Sequence, residues 1–308
     1  MDILSVLPNG IRVMSQPAPR VEPFYDATTG TYTYVLHETG GGACAIVDPV
    51  LDFDPKAART STAAADRVLR YVREHGLQAA WLLETHAHAD HLSAAHYLRE
   101  RLGGRIAIGA AIRTVQAVFG GIYHPGERYA ADGREFDHLF GPDETFAVGR
   151  LTLRALHVPG HTPADMAYAI EDGEGTPTHV FVGDTLFMPD VGSARADFPG
   201  GDAHALYHSA RRLLALPPAT RLYMCHDYPP PGREPRHETS VAEQRASNIH
   251  LHDGVDEAGF VAMRRARDAT LGMPTLILPA IQVNIRAGEL PAAEANGVRY
   301  LRIPMNLL

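Results

Sequence analysis

The chain is poor in cysteine, with two thiols, Cys44 and Cys225, in 308 residues. Two cysteines build neither a disulfide framework nor a thiolate zinc site, which points to a reducing compartment. Any metal would then be held by imidazole and carboxylate, a donor set that suits zinc, iron or manganese. Basic charge is also scarce, with 28 Lys and Arg against 36 Asp and Glu and a net charge of −8. No basic stretch offers a footprint for phosphates, which argues against a nucleic-acid partner. Long apolar runs are missing as well: nothing approaches the roughly 18 residues of a spanning helix. The opening MDILSVLPNGIRVM has no basic region followed by a long apolar stretch, and the expectation is a cytoplasmic protein away from membranes. A hydrophobic content of 45% with 21% charged residues excludes a disordered chain, and the length supports a sizeable core.

Histidine is abundant, with 17 residues. Their meaning depends on where the strands end. Thr31 to Leu36 (TYTYVL) alternates and is rich in β-branched and aromatic residues, a strand signal. Ala45 to Val47 continues it until Asp48-Pro49, where proline ends regular pairing. Ala64 to His75 reads as a helix stopped by Gly76. Ala79–Leu83 is a short buried strand, and further strands are expected at 106–108, 151–156, 166–170, 179–182 and 222–224. Helices are expected at 93–101, 203–214, 241–251 and 257–271. Such mingling means an α/β or α+β protein. It reads as a single domain over 1–308. The Pro229-Pro230-Pro231-Gly232 stretch either opens a helical C-terminal extension over 229–308 or forms a stiff surface loop.

Four predicted strand ends carry chemistry. Thr85-His86-Ala87-His88-Ala89-Asp90-His91 sets four metal-ligand side chains within six positions directly after a strand. In an extended segment His86 and His88 point the same way, and the following turn swings Asp90 and His91 back. Val158-Pro159-Gly160-His161-Thr162, Phe181-Val182-Gly183-Asp184-Thr185 and Met224-Cys225-His226-Asp227 each bring a His or Asp to another strand end. Singly these are ordinary, but together they describe a convergent cluster. Cys225, beside His226, reads as a small buried residue with no redox part.

The segments THAHADH, PGHT, VGDT and CHD, in this order, resemble the signature of the metallo-β-lactamase superfamily over roughly residues 25 to 230. The resemblance implies an αββα sandwich of two mixed sheets with helices on both outer faces and metal at one edge. By motif position it assigns His86, His88 and His161 to a first metal site and Asp90, His91 and His226 to a second, with Asp184 between them. Two chemistries fit this donor set. A zinc pair would activate a water nucleophile for hydrolysis, and a single iron held by two histidines and a carboxylate would leave positions open for substrate and O₂.

Within that superfamily, TYTYVL, AIVDPVLD, GDTLF, GSARADF, ALYHSARRLLALP and CHDY are similar to the persulfide dioxygenases. The tail, ILPAIQVNIRAGELPAAEANGVRYLRIPMN, resembles the bacterial subgroup of persulfide dioxygenase-like hydrolases associated with sulfide detoxification. The resemblance implies oxidation of glutathione persulfide by O₂ to sulfite and glutathione at one Fe(II) per chain, bound by His86, His161 and Asp184. His88, Asp90, His91 and His226 would then surround the site or form a second one. Arg195, Tyr207 and Tyr228 are the expected substrate contacts, with Arg195 able to pair with a carboxylate. A homodimer is compatible with this resemblance. The competing expectation is a glyoxalase II-like hydrolase of S-acyl glutathione with one or two Zn(II) per chain.

Overall fold

The computed structural model describes residues 17–124 and 129–307 in full, and only the backbone of 4–6 and 12–14. Much of the opening fourteen residues read above therefore lies outside the described residues. Two six-stranded sheets carry the fold. The first contains β1 (Pro19–Asp26), β2 (Thr31–Glu38), β3 (Ala43–Val47), β4 (Gln78–Leu83), β5 (Arg105–Gly109) and β6 (His138–Phe140). Its order is β6-β5-β4-β3-β2-β1; the pairs from β3 to β6 are parallel and those from β1 to β3 antiparallel. The second contains β7 (Glu144–Val148), β8 (Leu151–His157), β9 (Met166–Glu171), β10 (Pro177–Phe181), β11 (Arg221–Tyr223) and β12 (Glu238–Ser240). They lie in chain order, and only β10 and β11 pair in parallel. Both sheets are mixed.

The TYTYVL alternation works out as read, with every residue of β2 buried. Tyr32, Tyr34 and Leu36 enter the core between the sheets, against Phe181, Tyr223 and their neighbours. Val35 faces the opposite way, into the core under the helices. The Tyr34 hydroxyl crosses the interface and donates to the Met224 carbonyl at 2.6 Å, so a buried polar tip keeps its partner. Helices α1 (Ala63–Glu74), α2 (Ala95–Leu102) and α3 (Ile112–Tyr123) cover the outer face of the first sheet. Helices α4 (Ala203–Leu214), α5 (Val241–Ser247) and α6 (Glu257–Asp268) cover the second. A last helix, α7 (Ile277–Asn284), returns to the first sheet's outer core through Ala280 and Ile281. The result is the αββα sandwich.

Several elements depart from the sequence reading. The helix expected at 241–251 ends at Ser247, where Asn248 turns extended and uses its side chain to bind the backbone of His250 and Leu251. The helix expected at 257–271 ends at Asp268. Helix α3 contains Gly120-Gly121, which ordinarily weakens a helix. Helix α7 carries Pro279 in its first turn, where a missing N–H costs little. Strand β1 contains Pro19 and Pro23 and lies at the edge of its sheet, the position proline tolerates. After the proline stretch the chain re-enters the second sheet as β12, paired with β11. Among the described residues no helix is long and apolar enough to cross a membrane.

The turn after β8 limits how α4 packs. A Cβ on Gly160 would run into the backbone of Leu206 in α4, which a side-chain rotation cannot relieve. Gly160→Ala should therefore destabilise the protein by about 1–3 kcal/mol, as overpacking of a rigid contact does. Urea denaturation of the two forms checks this, and an unchanged midpoint would mean that α4 can give way.

Candidate metal centre

Five strands deliver their C-terminal ends to one edge of the sandwich. Strands β3 and β4 run in parallel, so Asp48 follows Val47 beside Glu84, and the Asp48 N–H donates to the Leu83 carbonyl at 2.9 Å. Strand β4 runs into Thr85-His86, β8 into the turn ending at His161, β10 into Asp184 and β11 into His226. The sheets are tied together at this edge. Met166 N donates to the Thr85 carbonyl at 2.9 Å, Tyr32 N to the Cys225 carbonyl at 2.8 Å and Asp227 N to the Gly30 carbonyl at 2.9 Å. In the turn carrying His161, the Thr162 hydroxyl and N–H both donate to Asp165.

The seven predicted metal-binding side chains come together in two adjacent groups. His86, His161 and Asp184 have ligand atoms within 4.8 Å of one another, as do His88, Asp90, His91 and His226. Asp184 faces both groups. Its Oδ2 lies 3.6 Å from His161 Nε2 and 3.9 Å from His86 Nε2, and its Oδ1 lies 3.4 Å from His226 Nε2. His88 stands with the second group, while its ring also lies 3.9 Å from that of His86.

Hydrogen bonds fix which imidazole nitrogen is free. His161 Nδ1 meets the Arg195 carbonyl at 2.8 Å and His91 Nδ1 the Leu92 carbonyl at 3.2 Å. A carbonyl only accepts, so both rings carry hydrogen on Nδ1 and keep a lone pair on Nε2. His88 Nε2 donates to Asp48 Oδ1 at 3.0 Å, which frees Nδ1. The Thr85 hydroxyl donates to Asp48 Oδ2 at 2.9 Å and accepts from His86 Nδ1 at 3.0 Å, which frees Nε2. Among the described residues eight buried side-chain atoms lack a hydrogen-bond partner, and His86 Nε2, His88 Nδ1, Asp90 Oδ2, His91 Nε2, Asp184 Oδ1 and His226 Nε2 are six of them. Buried polar atoms are ordinarily satisfied. Lone pairs gathered without hydrogen-bond donors fit a metal cation, and nitrogen with carboxylate oxygen suits zinc or iron.

The electrostatics follow from burial. Desolvation pushes Asp184 up to about 7, with His226 opposing and Asp90 adding to it. Burial lowers His161 to about 4 against the pull of its bond to Arg195. Burial and the charge on His88 lower His91 to about 3. Burial disfavours charge on His88 too, but Asp48, Asp90 and Glu84 outweigh it and carry this imidazole to about 10. Asp90 is held near 2 because the imidazoles of His226, His91 and His88 outweigh its desolvation.

A cavity of about 590 Å³ opens onto Asp90, His161 and Asp184. Phe187, Phe198 and Leu271 give it apolar walls. Tyr228 also lines it, half-exposed and stacked on His226 with ring centroids 5.7 Å apart. Arg195 lines it as well, but its guanidinium forks onto Asp197 at 2.6 and 2.8 Å and donates to the Gly272 carbonyl at 2.7 Å. Tyr207 is not brought to the cavity; it lies on α4 against Phe260 of α6 and donates to the Val255 carbonyl at 3.1 Å. Its part there is to pack one helix on another.

Sequence reasoning missed two groups at the candidate site. Asp48 read only as a strand stop, yet its carboxylate orients His88 directly and His86 through Thr85; its position one residue past an apolar strand was the available signal. Arg267, on the cavity wall, is exposed, and among the described residues no ion pair or side-chain hydrogen bond engages its guanidinium. Nothing in the local sequence marks it among the other arginines of α6.

The family model described as the metallo-beta-lactamase superfamily matches residues 27–226. A probable metallo-hydrolase of Burkholderia pseudomallei is 54% identical over 292 residues, covering 94% of this chain and 99% of that protein. The beta-lactamase hydrolase-like protein of Xylella fastidiosa is 50% identical over 290 residues, of which this chain spans 65% of the length. Mouse persulfide dioxygenase ETHE1 is 27% identical over 265 residues, 86% of this chain and 87% of that one. Among solved structures, ETHE1 from Myxococcus xanthus superposes with a TM-score of 0.68 at 28% identity, over 88% of this chain and 100% of that one.

Metal uptake should depend on pH with a definite sign. Asp184, near 7, and His88, near 10, hold protons in the metal-free protein that a metal must displace. Lowering the pH from 8 to 6 should therefore weaken apparent Zn(II) affinity by at least about tenfold. Competition against a chromophoric chelator at the two pH values measures this. Equal affinity at both would show that neither proton is displaced.

Proposed function

This chain belongs to the metallo-beta-lactamase superfamily, and from that premise we propose that it is a persulfide dioxygenase, oxidising glutathione persulfide with O₂ and water to glutathione and sulfite. The observation that carries this reading is the triad of His86, His161 and Asp184, two imidazoles and one carboxylate, of which His161 and Asp184 line an apolar-walled cavity. The similarity to mouse persulfide dioxygenase over most of both chains supports it. An iron ion held by the triad would supply the redox chemistry toward O₂ that no side chain here provides.

The chain's own groups supply the rest. Asp184 adds the anionic donor, and the Arg195 carbonyl keeps the His161 ring turned with Nε2 inward. Phe187, Phe198 and Leu271 exclude water from the sulfur-bearing end of the substrate. The guanidinium of Arg267, without an ion-pair partner among the described residues, suits a carboxylate on the thiol's carrier peptide. The Asp197 and Gly272 contacts of Arg195 leave that arginine engaged as a wall of the cavity.

A second reading is favoured by a specific observation. His88, Asp90, His91 and His226 form a complete second cluster with unsatisfied atoms of its own. A zinc pair across both clusters would lower the pKa of a bound water and suit hydrolysis of S-acyl glutathione. The Burkholderia relative's description as a probable metallo-hydrolase points the same way.

An oxygen electrode distinguishes the two. The iron-loaded protein should take up O₂ on addition of glutathione persulfide, and alanine at His86, His161 or Asp184 should abolish both iron retention and uptake. Retained iron and rate in any of the three variants would remove the triad assignment. Hydrolysis of S-lactoylglutathione without O₂ uptake would replace the dioxygenase by the thioesterase. Arg267→Ala should raise KM for glutathione persulfide about tenfold with little change in kcat, the loss of one charge-assisted hydrogen bond. An unchanged KM would exclude Arg267 from substrate binding.

A further inference from the structure

The segment that carries His86 to His91 has no regular secondary structure of its own, and all of its residues but Asp90 are buried. Buried carbonyls without a ladder need donors from elsewhere. One side chain supplies them. Asn284 Nδ2 donates to the His88 carbonyl at 2.8 Å and to the His91 carbonyl at 2.8 Å. Its Oδ1 accepts from Ser93 N at 2.8 Å. Carbonyls only accept and N–H groups only donate, so the amide has one permitted orientation. Asn284 is buried, ends α7, and lies 58 residues beyond the last residue matched by the family model, which stops at 226.

Independent contacts hold that helix at both ends. Gln116 of α3 donates to the Ile285 carbonyl at 2.9 Å, and Tyr123 donates to the Ile277 carbonyl at 3.2 Å. Just past the helix, Gly288 has φ +80°, and a Cβ there would stand 2.8 Å from the Ser93 carbonyl oxygen. Chain 191 residues away in sequence from Ser93 is thus built against the residue that closes the ligand segment, through both Asn284 and Gly288.

We infer that Asn284 is a positioning residue for the metal centre, fixing the His88–His91 turn from the C-terminal helix so that its ligand atoms converge. The inference rests on the metal-centre reading and is indifferent to whether oxidation or hydrolysis follows. Asparagine is needed at this place because aspartate has the same shape but lacks both donors and would set a carboxylate against two carbonyls.

The test uses the full chain and Zn(II) alone, with affinity measured by chelator competition and the metal-free thermal midpoint recorded separately. Asn284→Asp and Asn284→Ala, where circular dichroism shows native secondary structure, should bind Zn(II) about 10–100-fold more weakly than the unsubstituted chain, the usual loss when an outer partner of a ligand is removed. A lowered thermal midpoint with affinity within about twofold would mark Asn284 as a structural tether only and overturn the inference. If both variants fail to fold, Gly288→Ala, which leaves Asn284 in place but presses the tail off Ser93, carries the test. Weakened Zn(II) binding in that variant supports the inference, and unchanged binding overturns it. An unsubstituted chain that binds no Zn(II) at all removes the metal-centre reading and this inference with it.

Discussion

The Asp48 carboxylate accepts four hydrogen bonds from three residues in two parts of the chain, and the candidate metal centre depends on them. Oδ1 accepts from Thr85 N at 2.7 Å and from His88 Nε2 at 3.0 Å, and Oδ2 from the Thr85 hydroxyl at 2.9 Å and Cys225 Sγ at 3.4 Å. One anion at the end of β3 thus holds the start of the ligand segment after β4 and the end of β11. It also dictates tautomers: His88 directly, His86 through the Thr85 hydroxyl. Such outer partners decide where a ligand's lone pair points, as much as the ligand itself does. The second cysteine, scarce in this chain, is here a buried thiol donor to that carboxylate, and burial raises its pKa well above the ordinary value.

Collecting uncompensated donors and acceptors in one place is energetically unfavourable. Each buried polar atom without a partner costs on the order of 1–3 kcal/mol, and six of the eight such atoms among the described residues belong to the candidate ligands. The surrounding architecture offsets this. Three contiguous apolar cores, one between the sheets and one under each helical layer, fix the strands whose ends form the site. The edge bonds between β2 and the β11 end then leave the two sheets little freedom to separate. Rigid support lets the cluster stay strained until a cation relieves it, which is why metal affinity and folding are linked in such sites.

How much of this was legible in the sequence follows from the range of the interactions. The alternation of β2 and the strand-end positions of His86, His161, Asp184 and His226 are local patterns, and the αββα architecture follows from them together with the family resemblance. Helix α3 was illegible because Gly120-Gly121 breaks the propensity signal, and β1 because its two prolines are tolerated only at an edge that topology creates. Asp48 looked like punctuation, since its role depends on parallel pairing of β3 with β4. Asn284 contacts residues nearly two hundred positions away, and no spacing rule connects them. Tyr207 illustrates the converse: it belongs to a segment that resembles the family, but the phase of α4 turns it toward α6.

The net charge of −8 bears on what the cavity accepts. A negative chain repels an anionic thiol at long range, so recognition of a carboxylate must be local. Three arginines line the cavity, but they are not equivalent. Arg195 is neutralised by Asp197, and the buried Arg264 by Asp268 at 2.6 Å. Arg264 also donates to the Ser193 carbonyl at 3.1 Å and so shapes the wall near Arg195. Two of the three cations therefore hold the loop 193–197 in place, and through the Arg195 carbonyl they also hold His161. Among the described residues no ion pair engages Arg267. On the reading proposed here, the anionic end of the substrate meets Arg267 at the wall, while the sulfur end meets the cluster of lone pairs at the floor. The same arginine-built loop supports both, because the residue that orients His161 is the residue that walls the cavity.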